Sequence, residues 1–183
     1  VPKRVQPPAP ETPSDPAELY AQAELEFNRE NFKTASQIYA TILRHDPRHV
    51  GALVGQGFIQ ANEGAYEAAL ATAAEALTID DLRPEAYFLR GLILELQDDL
   101  PGAADEYRKA LLLDLGFIMP HYNLSKVYGR LGRQRDARRE LNNTVRLLER
   151  SGDESLIPYS GGLSRAVFLE VCREDAGQAG AQA

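Results

Sequence analysis

A spacing of 34 residues constrains this chain more than any other feature. Pro84–Asp114 reads as two helices separated by a break. Tyr87, Gly91 and Leu94 mark one face of the first; Ala103, Tyr107, Ala110 and Leu111 mark one face of the second. One period earlier, Gly57, Ala69, Ala73, Ala76 and Leu77 stand in register, and one before that Ala23, Ala35, Tyr39 and Leu43. One period later come Ser125, Tyr128, Ala137, Leu141 and Val145. A helical hairpin of this size cannot bury its own apolar face, so the four units are expected to stack on one another. The small residue of each first helix (Ala23, Gly57, Gly91, Ser125) recurs with an alanine of each second helix (Ala35, Ala69, Ala103, Ala137). Lacking bulk, the two let the helices approach closely, and larger residues a turn away fill the gap.

The helix pairs fall at about Pro16–Arg29 and Lys33–His45, Val50–Asn62 and Tyr66–Ile79, Pro84–Gln97 and Pro101–Leu113, and Ile118–Leu131 and Gln134–Glu149. The units are therefore 16–49, 50–83, 84–117 and 118–149. Asp15 suits an N-cap with Pro16 at the first helical position, and Pro47 stops the second helix. Ahead of them, Val1–Asp15 holds five prolines and reads as an extended linker, a tether to something upstream. Its Pro7 and Pro10 make a PxxP match, for which a tether is the simpler reading. The period fails after Glu149: 150–163 reads as a loop, and 164–175 as an amphipathic helix with Ser164 as N-cap and Val167, Phe168, Val171 and Cys172 as its apolar stripe. Such a helix covers the exposed end of a stack, the alternative being that it lies in the groove or swaps to a partner. Residues 176–183 read as a disordered tail.

The spacing, the small-residue pair and Asp46–Pro47 resemble the tetratricopeptide repeat (TPR), over roughly Pro16–Glu149. The repeat-closing proline is kept only at Pro47, with Asp81 and Leu115 at the equivalent places, and the chain has no tryptophan. The resemblance implies an all-α fold, a TPR superhelix of four helical hairpins with a C-terminal capping helix.

Chemistry finds little purchase. His45 and His49 have the spacing of a helical metal pair, but Pro47 lies between them and no third ligand follows. Gly55 and Gly57 begin a Gly-x-Gly without the rest of a dinucleotide fingerprint. Asn123 and Asn142 open glycosylation sequons inside expected helices. Cys172, the only cysteine, excludes an internal disulfide and suits a reducing compartment; its apolar setting points to packing. No catalytic constellation, cofactor or metal is expected. The net charge of −7 argues against nucleic acid, and no apolar run is long enough to span a membrane. Together these point to a cytoplasmic, non-enzymatic fragment.

By resemblance to TPR domains, the inner surface falls on Tyr20, Glu24, Val54, Phe58, Phe88, Leu92, Tyr122 and Lys126, with Gly55, Leu89 and Asn123 beside them. The lysine–asparagine clamp that some TPR domains use for a chaperone tail is missing: Tyr20, Glu24, Gly55, Glu85 and Leu89 stand there. What remains is an aromatic and aliphatic groove, suited to an amphipathic helix or apolar peptide. Tyr20, Phe88 and Tyr122 are expected at its surface, while Val54 and Leu92 fit groove and core equally. Charge is split, with twelve acids against four bases over Glu63–Asp114, and seven arginines against three acids over Arg130–Arg150. That division could steer a basic partner or promote self-association.

The closing sequence YSGGLSRAVFLEVCRED, with Gly162-Leu163-Ser164, resembles the C-terminal extension of CheR-type chemotaxis-receptor methyltransferases, in which a proline-rich linker and TPR units follow the catalytic domain. This resemblance implies a bacterial regulatory module that binds the chemoreceptor, its own S-adenosylmethionine-dependent methyltransferase domain or another signalling protein. The competing expectation is a scaffold or adaptor TPR unit of an unrelated pilus or secretion assembly.

Overall fold

The computed structural model describes residues 15–150 and 155–181. The proline-rich stretch before Asp15 lies outside them. Among the described residues the chain forms nine helices and no strand: α1 Pro16–Asn28, α2 Phe32–His45, α3 Val50–Asn62, α4 Tyr66–Ile79, α5 Pro84–Leu96, α6 Leu100–Leu113, α7 Ile118–Arg130, α8 Gln134–Arg150 and α9 Arg165–Ala181. Each packs chiefly on its neighbours in sequence, and α1, α3 and α5 also meet along the inner side. The result is a TPR-like superhelix.

Local chemistry sets the helix ends. The Asp15 side chain accepts a hydrogen bond from the Ala17 N–H ahead of α1, and Asp99 does the same for Gly102 at the start of α6. His49 Nδ1 accepts from the Ala52 N–H, so this histidine caps α3. Inside each hairpin the turn contains one left-handed residue, at Glu30, Gly64, Asp98 and Gly132, with φ of 62°, 80°, 66° and 72°. These four positions also repeat every 34 residues, and glycine occupies only two of them.

The small-residue pairs carry the packing. Ala23, Ala35, Ala69 and Ala103 are fully buried. A Cβ on Gly91 would lie 2.6 Å from the Tyr107 ring, and one on Gly57 2.6 Å from Leu89 Cδ2. Tyrosines of the second helices reach back across the hairpin: the Tyr39 hydroxyl donates to Glu24 Oε1 at 2.6 Å, and the Tyr107 hydroxyl to Glu95 Oε2 at 2.7 Å. Burial and the adjacent carboxylate raise the pKa of both phenols.

α9 covers α8. Arg165 Nη1 donates to the Leu147 and Leu148 carbonyls, and Arg173 pairs with Glu149 at 2.9 Å. Its own Phe168 and Cys172 are buried. Two features depart from the sequence-based expectation. The final helix does not stop near Asp175: it continues through most of the expected disordered tail, to Ala181, with Gln182 and Ala183 outside the described residues. The segment expected as a plain loop closes on itself. Leu156 bridges Ser164, the Ile157 N–H donates to the Leu163 carbonyl, and the Leu163 N–H donates to Ser160 Oγ.

Candidate functional site

The inner face of the superhelix is built by the first helices of the hairpins, as a row of four aromatic rings. Phe27 comes from α1, Phe58 from α3, Phe88 from α5 and Phe117 from the N-cap of α7. The Phe27 and Phe58 centroids lie 5.9 Å apart, Phe58 and Phe88 5.8 Å, and Phe88 and Phe117 5.2 Å. Such spacings are those at which aromatic pairs attract.

A fifth ring fills the groove, and it belongs to the same chain. Tyr159, from the segment between α8 and α9, touches all four: it stacks on Phe58 at 4.4 Å and tilts against Phe27, Phe88 and Phe117 at 5.6, 5.9 and 5.9 Å. Tyr159 is half-buried, and Ile157, two residues earlier, is buried. On one side of the Tyr159 ring lies an open cavity of about 190 Å³ reaching Phe32, Leu92, Leu96 and Glu30; on the other lies one of about 240 Å³ bounded by Glu85, Asp114 and Met119. The Tyr159 hydroxyl sits within the influence of Glu24, Glu85, Tyr20 and Arg83. Burial first, then the two carboxylates, push its pKa well above that of a free phenol.

The ten groove residues expected from sequence separate into four groups. Phe58, Phe88 and Leu92 line the aromatic row or its cavity, and Tyr20 and Glu24 act electrostatically on the Tyr159 hydroxyl. Val54 and Leu89 are core, at 2% and 0% exposure. Asn123 is turned inward, donating to the Tyr107 hydroxyl at 3.2 Å. Tyr122 lies under α9, edge-on to Phe168 at 4.8 Å and donating to Asp175 Oδ2, with Lys126 over its outer face. Phe88 corrects the expectation of a surface ring: only 1% of it is exposed, because Phe58, Tyr107, Phe117 and Tyr159 surround it. Phe27, Phe117 and Tyr159 were not anticipated from the sequence.

The basic stretch is partly neutralised by nearby carboxylates. Arg130 pairs with Asp98, Arg133 with Asp136, and Arg139 with Asp136 and Glu140.

The tetratricopeptide repeat model matches residues 20–84 and 73–116. The chain belongs to the tetratricopeptide repeat family. The TPR protein TTC0263 of Thermus thermophilus has a similar fold, with a TM-score of 0.68 at 18% identity over 92% of this chain and 83% of that one. MamA from Desulfovibrio magneticus RS-1 gives 0.57 at 24% identity over 76% and 78%. The Naa15/Naa10 complex bound to HypK-THB gives 0.63 at 20% identity over 90% of this chain but 24% of that one. At these identities the likeness is one of fold. Comparison with curated proteins finds no significant match. TPR folds are protein-interaction modules rather than catalysts, and no helix among the described residues is long and apolar enough to cross a membrane.

Proposed function

We propose that this chain is the regulatory interaction module of a cytoplasmic chemotaxis-receptor methyltransferase, and that it acts by binding the receptor or the methyltransferase domain along its inner groove. The observation that carries the binding role is the aromatic row of Phe27, Phe58, Phe88 and Phe117, which already accommodates a ring delivered by a loop. Tyr20, Glu24 and Leu92 are its accessible binding residues, and Phe58 and Phe88 its floor. The assignment to receptor methylation is supported by resemblance in the closing segment. Gly162-Leu163-Ser164, which carries it, is also the turn that returns the chain from the groove to α9. Such a module regulates by favouring one docked state of the enzyme over another.

Receptor methylation by the catalytic domain, measured with and without this chain, tests the reading. A changed rate or site pattern is expected, together with capture of receptor or catalytic domain that weakens in Tyr20→Ala and Leu92→Ala variants. Unchanged methylation with capture of neither would overturn it and leave the scaffold reading.

A further inference from the structure

The segment 155–163 is a ligand-like object seated in a ligand-like place. It enters the groove through two apolar side chains, Ile157 and Tyr159, and it carries no charge. Its aromatic contacts with the first helices all come from one ring, which touches three hairpins and the start of the fourth. The fit is incomplete, because a cavity remains on either side of that ring. The backbone also has to bend sharply to deliver it: Tyr159, Gly161 and Gly162 have φ of 64°, 74° and 72°. For tyrosine this left-handed conformation is strained, and withdrawal of the ring relieves it.

Charge around the groove is not matched by the strap. Glu85 and Asp114 border one cavity beside Tyr159 and Glu30 borders the other, and the charge of Glu24 also acts on the Tyr159 hydroxyl. Arg83, the base among them, is held by Glu85 at 3.0 Å. A neutral segment therefore lies across a groove whose walls are acidic, and an occupant bearing cations on either side of its aromatic anchor gains attraction that the strap forgoes.

We propose that the 155–163 strap is an intramolecular pseudo-ligand, and that the occupant which displaces it is an extended protein segment with an aliphatic residue two positions before an aromatic one, flanked by lysine or arginine. This rests on the inner groove being the binding surface, and adds what that surface selects and what keeps it closed. Competition from the strap lowers the apparent affinity by the fraction of time the groove is open, so weakening the strap strengthens binding without altering any residue of the helices. Because Ile157 and Tyr159 are held at both ends by the Leu156–Ser164 bridge and α9, displacement frees a short loop and leaves the hairpins intact.

The test uses the full chain and the fluorescein-labelled peptide Lys-Lys-Ile-Pro-Tyr-Ser-Lys-Lys, with two controls, one replacing every lysine by aspartate and one replacing tyrosine by alanine. Tyr159→Ala should bind the basic peptide at least about tenfold more tightly than the parent chain, and both control peptides should bind poorly. Gly161→Val releases the strap by backbone strain alone, serves if Tyr159→Ala loses its helical signal, and should behave alike. Adding the basic peptide to the parent chain should speed chymotryptic cleavage after Tyr159. Equal affinity of parent and strap variants, or equal binding of the aspartate peptide, would overturn the proposal. Methylation that still responds to this chain after such a failure would place the partner on another surface, so the two readings fail separately.

Discussion

The Tyr159 ring lies 4.4 Å from that of Phe58, nearly parallel at 28°. A residue beyond the last repeat thereby packs against the second repeat, and through Phe27 and Phe88 against the first and third. In a stack where each unit otherwise meets its neighbours, this contact ties distant hairpins together.

Removal of that ring should lower stability as well as open the groove. Truncating a fully buried aromatic side chain typically costs about 3–5 kcal/mol, and the partial exposure of Tyr159 places Tyr159→Ala below that range, at about 2–3 kcal/mol. Tyr159→Phe keeps every ring contact and should change stability by less than about 1 kcal/mol. Urea denaturation followed by circular dichroism separates the two, and equal losses would show that the ring contributes little.

The two helical glycines Gly91 and Gly129 should respond oppositely to alanine. A Cβ at Gly91 would meet the Tyr107 ring at 2.6 Å and the Ala103 carbonyl oxygen at 3.3 Å, where the backbone cannot retreat easily. Overpacking of this kind costs about 1–3 kcal/mol and outweighs the gain in helix propensity. Nothing lies within 4 Å of a Cβ at Gly129 in α7, so there the propensity gain of up to about 1 kcal/mol should stand alone. Thermal melts of Gly91→Ala and Gly129→Ala should shift in opposite directions.

The period made the hairpins legible in sequence because packing acts at the same place in every unit: Ala35, Ala69 and Ala103 each sit where a larger side chain would push two helices apart. The groove was less legible because it does not follow the period. Phe27, Phe58, Phe88 and Phe117 are separated by 31, 30 and 29 residues, so the aromatic row slips back by about one helical turn per unit as it crosses the curved face. Alignment by repeat position finds Phe58 and Phe88 and passes over Phe27 and Phe117. A count of phenylalanines at intervals slightly shorter than the repeat is the signal that would have found all four. Tyr159 had no such signal. It lies in an aperiodic stretch, and only the left-handed turn at Gly161 and Gly162 sends its ring back to the start of the chain.

A buried pair makes stability depend on pH. His121 Nδ1 lies 2.7 Å from Glu140 Oε2, and its Nε2 lies 3.2 Å from the Leu115 carbonyl oxygen. Burial would raise the Glu140 carboxyl, but hydrogen bonds from His121, Arg139 and Asn143 outweigh it and hold the group below its ordinary value of 4.5. In acid the unfolded chain therefore takes up this proton before the folded one does. The contribution of Glu140 is complete above the unfolded value and is lost as pH falls through the folded one. Glu140→Gln should lower the urea midpoint at neutral pH and flatten its decline between about pH 5 and 3. Parallel curves for the variant and the parent chain would show that the pair is not responsible.

Cys172 should report on whether α9 is docked. Its thiol is fully buried, and burial together with nearby Asp175 pushes its pKa up to about 12. The thiolate is the reactive form, so at pH 8 only about one molecule in ten thousand carries it, inside a site that reagent cannot reach. Reaction with Ellman's reagent should then proceed only through opening of α9. Phe168 holds the helix edge-on to Tyr122 at 4.8 Å, and Phe168→Ala should speed modification at least about tenfold by weakening that contact. Phe168 stands outside the four hairpins, so the circular dichroism of the variant should fall by no more than the share of α9. A thiol that reacts freely in the parent chain would mean that α9 stands away from the stack in solution.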